Sequence, residues 1–149
     1  MSSTPINDFR GEYRWLSNFH AVEVTLDGEV YPSTEHAYQA AKFPLGSVLR
    51  ASVRSAPTCR DAKRLGRSPG MRSNWDNVKL GIMGNLLRQK FAPGSELAGK
   101  LLATGDRPLV EGNTWGDRFW GVCGGVGENH LGKLLMQIRA ELKPSEDMP

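Results

Sequence analysis

A helix-rich α+β single domain with a small antiparallel β element is the fold class this sequence predicts, and three observations carry it. The chain has 149 residues, a length that fits one domain. One stretch alternates apolar and polar residues around an Asp-Gly pair, the mark of a hairpin. Much of the remainder repeats its apolar residues at three-to-four spacing, the mark of helices. Hydrophobic residues make up 39% and charged residues 23%, with a mean hydropathy of -0.42, so one core can be buried without the charge excess of a disordered chain.

The elements follow in order. Val22, Val24 and Leu26 alternate up to Asp27-Gly28, and Val30 resumes the pattern, which predicts two short antiparallel strands. After Pro32, residues 34–43 are good helix formers with no breaker until Pro44. A second helix is expected over residues 45–55, ended by Pro57, and Thr58 with Asp61 three residues later caps a short basic helix to Leu65, which Gly66 closes. Trp75, Val78, Ile82, Met83, Leu86, Leu87 and Phe91 share one face of a long central helix despite Gly81 and Gly84. Ser95 caps a helix over 96–103, Gly105 ends it, and a short strand is expected over 108–112. Between Gly112 and Gly132 lie seven of the chain's 17 glycines, interleaved with Trp115, Phe119 and Trp120, and such aromatics predict an anchored loop rather than a linker. A last helix over 130–142 carries Leu131, Leu134, Leu135, Ile138 and Leu142 on one face, and residues 144–149 form a polar tail. The ordered core is expected over about 6–143.

No apolar run approaches the roughly 20 residues that span a bilayer, and Met1 to Arg10 lacks the apolar core of a secretory signal, so the expected location is the cytoplasm, with no membrane partner. Two cysteines, Cys59 and Cys123, and three widely spaced histidines argue against a disulfide framework and against a His/Cys metal site. Neither a metal nor a cofactor is expected. From Lys42 to Lys90 there are eleven basic and two acidic residues, a net of +9, while the rest of the chain carries -6. Arg60, Lys63, Arg64 and Arg67 cluster within that segment, and such a basic stretch suits an anionic partner, either nucleic acid or a phosphorylated small molecule.

Glu35, Gln39 and Lys42 fall at i, i+4 and i+7, which places them within roughly 60° of one another on one helix face. His36 and Tyr38 beside them leave little plainly solvated face, so the stripe is expected to line a cleft. Residues 127–133 satisfy the GxxxxGK part of a phosphate-binding loop, but Leu134 stands where Ser or Thr must hold magnesium, which argues against an NTPase. The weaker expectation is a glycine-rich turn whose amides can hold phosphate. Glu35, Glu111 and Asp117 are the carboxylates nearest glycine- or aromatic-rich turns.

Several motifs together resemble one family. They are Phe9-x-Gly11 with Leu16-Ser17-Asn18-Phe19, then Tyr31-x-Ser33-x-Glu35-His36-Ala37-Tyr38-Gln39-Ala40-x-Lys42-Phe43, then Trp75 with Val78, Lys79 and Met83. Lys90-Phe91, Thr104-Gly105, Leu109-Val110-Glu111, Asp117-x-x-Trp120-Gly121 and Asn129-x-Leu131-Gly132-x-Leu134-Leu135-Met136 complete the set. In this order, and over nearly the whole chain, they resemble the NADAR or YbiA-like family of N-glycosidases. The chain departs from that pattern at Ser33, which stands one position further from the glutamate than in the usual Ser-Glu-His triplet.

The resemblance implies a helix-rich α+β domain that hydrolyses the bond between a ribose and a nitrogen. Two substrate groups go with the family: ADP-ribose on guanine, in nucleic acid or as free nucleotide, and phosphorylated ribosylaminopyrimidine intermediates of riboflavin synthesis. The first is the leading expectation, and a non-catalytic ADP-ribose-binding module is the reading of a different class. Glu35 is expected to stabilise positive charge on the ribose or to activate water, and Asp117 to act as acid or second carboxylate. Lys42 is expected either to contact phosphate or to form a Schiff base with the opened ribose, and its place on the Glu35 stripe favours the second. Trp75 and Trp120, with Phe19, are expected to stack on the base. Ser17 and Asn18 suit ribose hydroxyls or phosphate, and the resemblance extends substrate binding to His36, Gln39, Gly121, Asn129 and Gly132.

Overall fold

The computed structural model describes residues 3–144, so nearly all of the expected polar tail lies outside the described residues. The chain is α+β and helix-rich, with six α-helices, one 3-10 helix and two small two-stranded sheets among the described residues. Its contacts divide into two compact units, one formed by residues 18–90 and the other by residues 1–17 with 91–149.

The 18–90 unit begins with the hairpin of β1 (Ala21–Leu26) and β2 (Glu29–Ser33), paired antiparallel from Leu26↔Glu29 to Ala21↔Ser33 with one irregularity between Ala21 and Val24. Its two-residue turn needs positive φ at both positions, which Asp27 (50°) and Gly28 (81°) supply. Helix α1 (Thr34–Ala40) follows at once, capped by Ser33, whose Oγ accepts from the His36 amide. It is shorter than the expected span to Phe43. Lys42 N bonds Gln39 O and Phe43 N bonds Ala40 O, so the last turn tightens to i−3 bonding ahead of Pro44.

Helices α2 (Val48–Arg54), α3 (Cys59–Leu65) and α4 (Trp75–Lys90) complete this unit, and each of the three packs on α1. Ser47 caps α2, and Thr58 caps α3 by accepting from the Asp61 amide, as the sequence spacing requires. Arg50 fastens the hairpin to the end of α1. Its Nε donates to the carbonyls of Ala40 and Phe43, both at 3.2 Å, and its Nη1 donates to Asp27 at 2.8 Å. Every residue of α1 is buried, which a surface helix with a polar stripe would not be.

In the other unit the 3-10 helix Gly11–Leu16 buries Trp15 and Leu16, and Trp15 meets Phe91 edge-on with centroids 6.3 Å apart. Helix α5 (Glu96–Ala103), with Ser95 as its cap, and helix α6 (His130–Leu142) keep the expected bounds. The strand expected over 108–112 takes another form. Ile6 N donates to Pro108 O and Val110 N to Ile6 O, so the extended segment pairs with the start of the chain. Only Gly112–Asn113 (β3) forms a strand there, parallel to Val122–Cys123 (β4). Arg139 ties α6 to α5 through Nη1, which donates to Thr104 Oγ1 and Arg107 O.

Candidate active site

Helix α1 brings the predicted stripe together in the 18–90 unit. Glu35 and Gln39 are 6% and 4% exposed, and Gln39 Nε2 donates to Glu35 Oε1 at 3.1 Å. Burial raises the Glu35 carboxyl above its ordinary range, against the bond from Gln39 and the charges of Lys63, Lys42 and His36. Lys42 is half-buried; its Nζ donates to Gly66 O at 3.4 Å and lies 5.8 Å from the Tyr38 ring centre. Its amine is held below the ordinary lysine value, chiefly by burial; Glu35 opposes this, while Arg67, Lys63 and Lys79 add to it. A buried carboxyl on α1 and a half-buried amine on the turn that follows it thus both move towards their neutral forms, which suits an acid and a nucleophile.

The three cations Lys63, Arg67 and Lys79 were legible only as part of a basic stretch. Their grouping near Lys42 comes from the packing of α3 and α4 against α1. Three buried polar atoms of this unit lack hydrogen-bond partners: Asn18 Oδ1, Thr34 Oγ1 and Gln39 Oε1. Asn18 holds the start of α1 through its backbone, where its carbonyl accepts from Glu35 N at 3.1 Å, and its Nδ2 lies 3.6 Å from Met83 Sδ. Ser17 belongs to the other unit and is half-buried, and Phe19 is 44% exposed.

Two expected contacts take other roles. The His36 ring is committed inside the protein, with Nδ1 2.6 Å from Ser33 Oγ and Nε2 3.0 Å from Ala56 O. This also gives Ser33 its function despite its shifted position: it caps α1 and holds the imidazole beside Glu35. Trp75 is 4% exposed and lies against Tyr38 with centroids 5.1 Å apart, so it forms an inner wall rather than an open stacking face.

The glycine-rich turn of the other unit is likewise built for packing. The amides of Glu128, Asn129, His130 and Leu131 donate to the carbonyls of Arg118, Gly121, Phe119 and Trp120, which leaves those four amides unavailable to a phosphate. Asn129 adopts a left-handed conformation, accepts from Glu111 N at 2.9 Å and donates to Leu109 O at 2.9 Å. Gly121 and Gly132 are required for space. A Cβ at Gly121 would strike Glu111, and one at Gly132 would strike Leu109 O and Asn129. Asp117 anchors the neighbouring turn, with Oδ1 accepting from Phe119 N (3.1 Å) and Trp120 N (2.9 Å). Trp120 is half-buried, edge-on to Phe119 at 4.9 Å. Among the described residues no three His, Cys, Asp or Glu side chains group as metal ligands, and no helix is long and apolar enough to cross a membrane.

A small α+β chain with a buried carboxyl, a half-buried amine and a group of cations acting on them is the class that fold and site define, an enzyme rather than a passive scaffold. The model of the NADAR domain matches residues 7–143, and the chain belongs to that family, as a hydrolase acting on N-glycosyl compounds. It is 41% identical to N-glycosidase YbiA of Escherichia coli over 147 residues, 95% of this chain and 91% of that one. An N-glycosidase of Nostoc punctiforme is 38% identical over 138 residues, 88% of this chain and 86% of the relative. A riboflavin biosynthesis protein of Vibrio vulnificus is 39% identical over 132 residues, 87% of this chain but 35% of that longer protein. The NMR structure of the Escherichia coli protein YbiA superposes with a TM-score of 0.82 at 39% identity, covering 95% of this chain and 86% of the other.

Proposed function

We propose that the protein removes ADP-ribose from ADP-ribosylated guanine, in nucleic acid or as a free nucleotide, by cleaving the bond between the ribose anomeric carbon and the base nitrogen. The observation that carries this reading is the Glu35–Gln39–Lys42 stripe, a buried carboxyl on α1 and a half-buried amine on the turn after it. Burial favours the neutral form of Glu35, and in this mechanism Glu35 gives a proton to the departing base. The neutral Lys42 amine attacks the anomeric carbon as the bond to the base breaks. One Nζ proton returns to the Glu35 carboxylate. The C1′–ring-oxygen bond breaks as Nζ forms an imine, and the ring oxygen takes the second Nζ proton. Water then hydrolyses the imine to release the sugar as its aldehyde and restore the amine. Lys63, Arg67 and Lys79 meet the phosphates. Asp117 is a proposed catalytic carboxylate, its Oδ1 accepting from the amides of Phe119 and Trp120.

The Vibrio relative favours a second reading, with a phosphorylated ribosylaminopyrimidine as substrate. Purified protein offered ADP-ribosylated guanosine, an ADP-ribosylated DNA oligonucleotide and that pyrimidine in parallel, with products identified by mass, separates the two. Release of guanine-side product is expected, and turnover of the pyrimidine alone would install the second reading. Glu35→Gln should lower kcat by at least about 100-fold with the fold intact. Borohydride added during turnover should leave a sugar on the wild-type protein and none on Lys42→Arg. Activity retained in Lys42→Arg without any adduct would reduce Lys42 to a phosphate contact.

A further inference from the structure

Gly66 closes α3, as the sequence expects. The backbone there is right-handed (φ -64°, ψ -12°), a conformation any residue adopts and in which alanine is the better helix former. The conformation therefore gives no reason for a glycine, but the surroundings do. A Cβ at this position would overlap Gln39 Oε1 and come within 2.7 Å of Gln39 Cδ. That carboxamide cannot simply swing aside, because it is 4% exposed and its Nε2 holds Glu35 Oε1. The same residue's carbonyl accepts from Lys42 Nζ. One residue thus touches both arms of the stripe: its missing side chain admits the partner of Glu35, and its carbonyl steadies the amine.

We propose that Gly66 is a positioning residue for the reaction, holding the Gln39 carboxamide against Glu35 and the Lys42 amine in line with it. The inference rests on the reading of Glu35 and Lys42 as the reacting pair. It implies that an added methyl group at Gly66 displaces Gln39, removes the bond to Glu35 and leaves the fold standing.

The test is Gly66→Ala, alone and combined with Gln39→Ala. Alone it should lower kcat by about 10- to 100-fold, leave KM within about twofold, reduce the borohydride-trapped adduct in step with kcat, and keep the thermal midpoint within about 5 °C of wild type. In the Gln39→Ala background the space is already free, so adding Gly66→Ala should change kcat by less than about twofold. Wild-type kcat in the single variant would overturn the proposal. So would a further tenfold loss in the double variant, or unfolding in both backgrounds, since glycine would then answer to something other than Gln39. If Glu35→Gln and Lys42→Arg stay active, the reading of the site itself falls. If they are inactive and Gly66→Ala is active, only the positioning role falls.

Discussion

Asp117 meets two amides with one oxygen, and this sets what its replacement should do. Asparagine presents a carbonyl oxygen of the same reach to Phe119 N and Trp120 N, so Asp117→Asn should melt within about 3 °C of wild type. If the carboxylate serves the reaction, kcat should nonetheless fall by at least about tenfold; turnover equal to wild type would confine Asp117 to its turn. The pairing of Glu35 with Gln39 on α1 was legible from spacing alone, since 100° per residue stacks positions 35 and 39 whatever surrounds them, whereas the end of α1 at Ala40, which leaves Lys42 on a tightened turn, was not. The burial of the stripe was not legible, because a polar stripe reads the same whether water or α3 and α4 cover it. The GxxxxGK spacing likewise cannot show that carbonyls eight to eleven residues upstream already occupy four amides of that turn.

At the scale of elements, α4 ends in a lysine that is 2% exposed. Burial pushes the Lys90 amine down to about 7, against an opposing effect of Cys59. Between that value and the 10.5 of the unfolded chain, the unfolded state binds more protons, so stability rises with pH across this window and is flat below it. Urea unfolding at pH 6, 7.5 and 9 should show the wild type gaining up to about 1.4 kcal/mol per pH unit above 7, and Lys90→Met losing that slope. Parallel curves for the two proteins would show that the amine stays charged in the fold. Cys59, raised above 9 mainly by burial, stays a thiol in both states over most of that range. The starts of α3 and α5 were legible to the residue from Thr58 and Ser95, whereas α2, expected over 45–55, spans only Val48–Arg54 behind its cap Ser47. The 3-10 helix Gly11–Leu16 has no periodicity to read, and the 108–112 strand hid its partner, Ile6, a hundred positions away.

For the whole molecule, the basic segment from Lys42 to Lys90 against an otherwise acidic chain predicts how salt should act. Cations that meet substrate phosphates are screened as the Debye length shrinks, so raising ionic strength from about 0.05 to 0.3 M should increase KM severalfold and leave kcat within about twofold. An unchanged KM would remove phosphate recognition from that segment. The division of the chain was not legible in composition, because no linker marks it: the 18–90 stretch is continuous, while the other unit draws on both sides of it. That arrangement has a consequence for synthesis. Every bond among residues 18–90 can close once Lys90 has left the ribosome, whereas Ile6 must wait for Pro108 and Val110. At roughly 5–20 residues per second this leaves the first strand-like segment unpaired for on the order of 5–20 s, with an apolar side chain and free amides exposed to the chaperones that attend nascent chains.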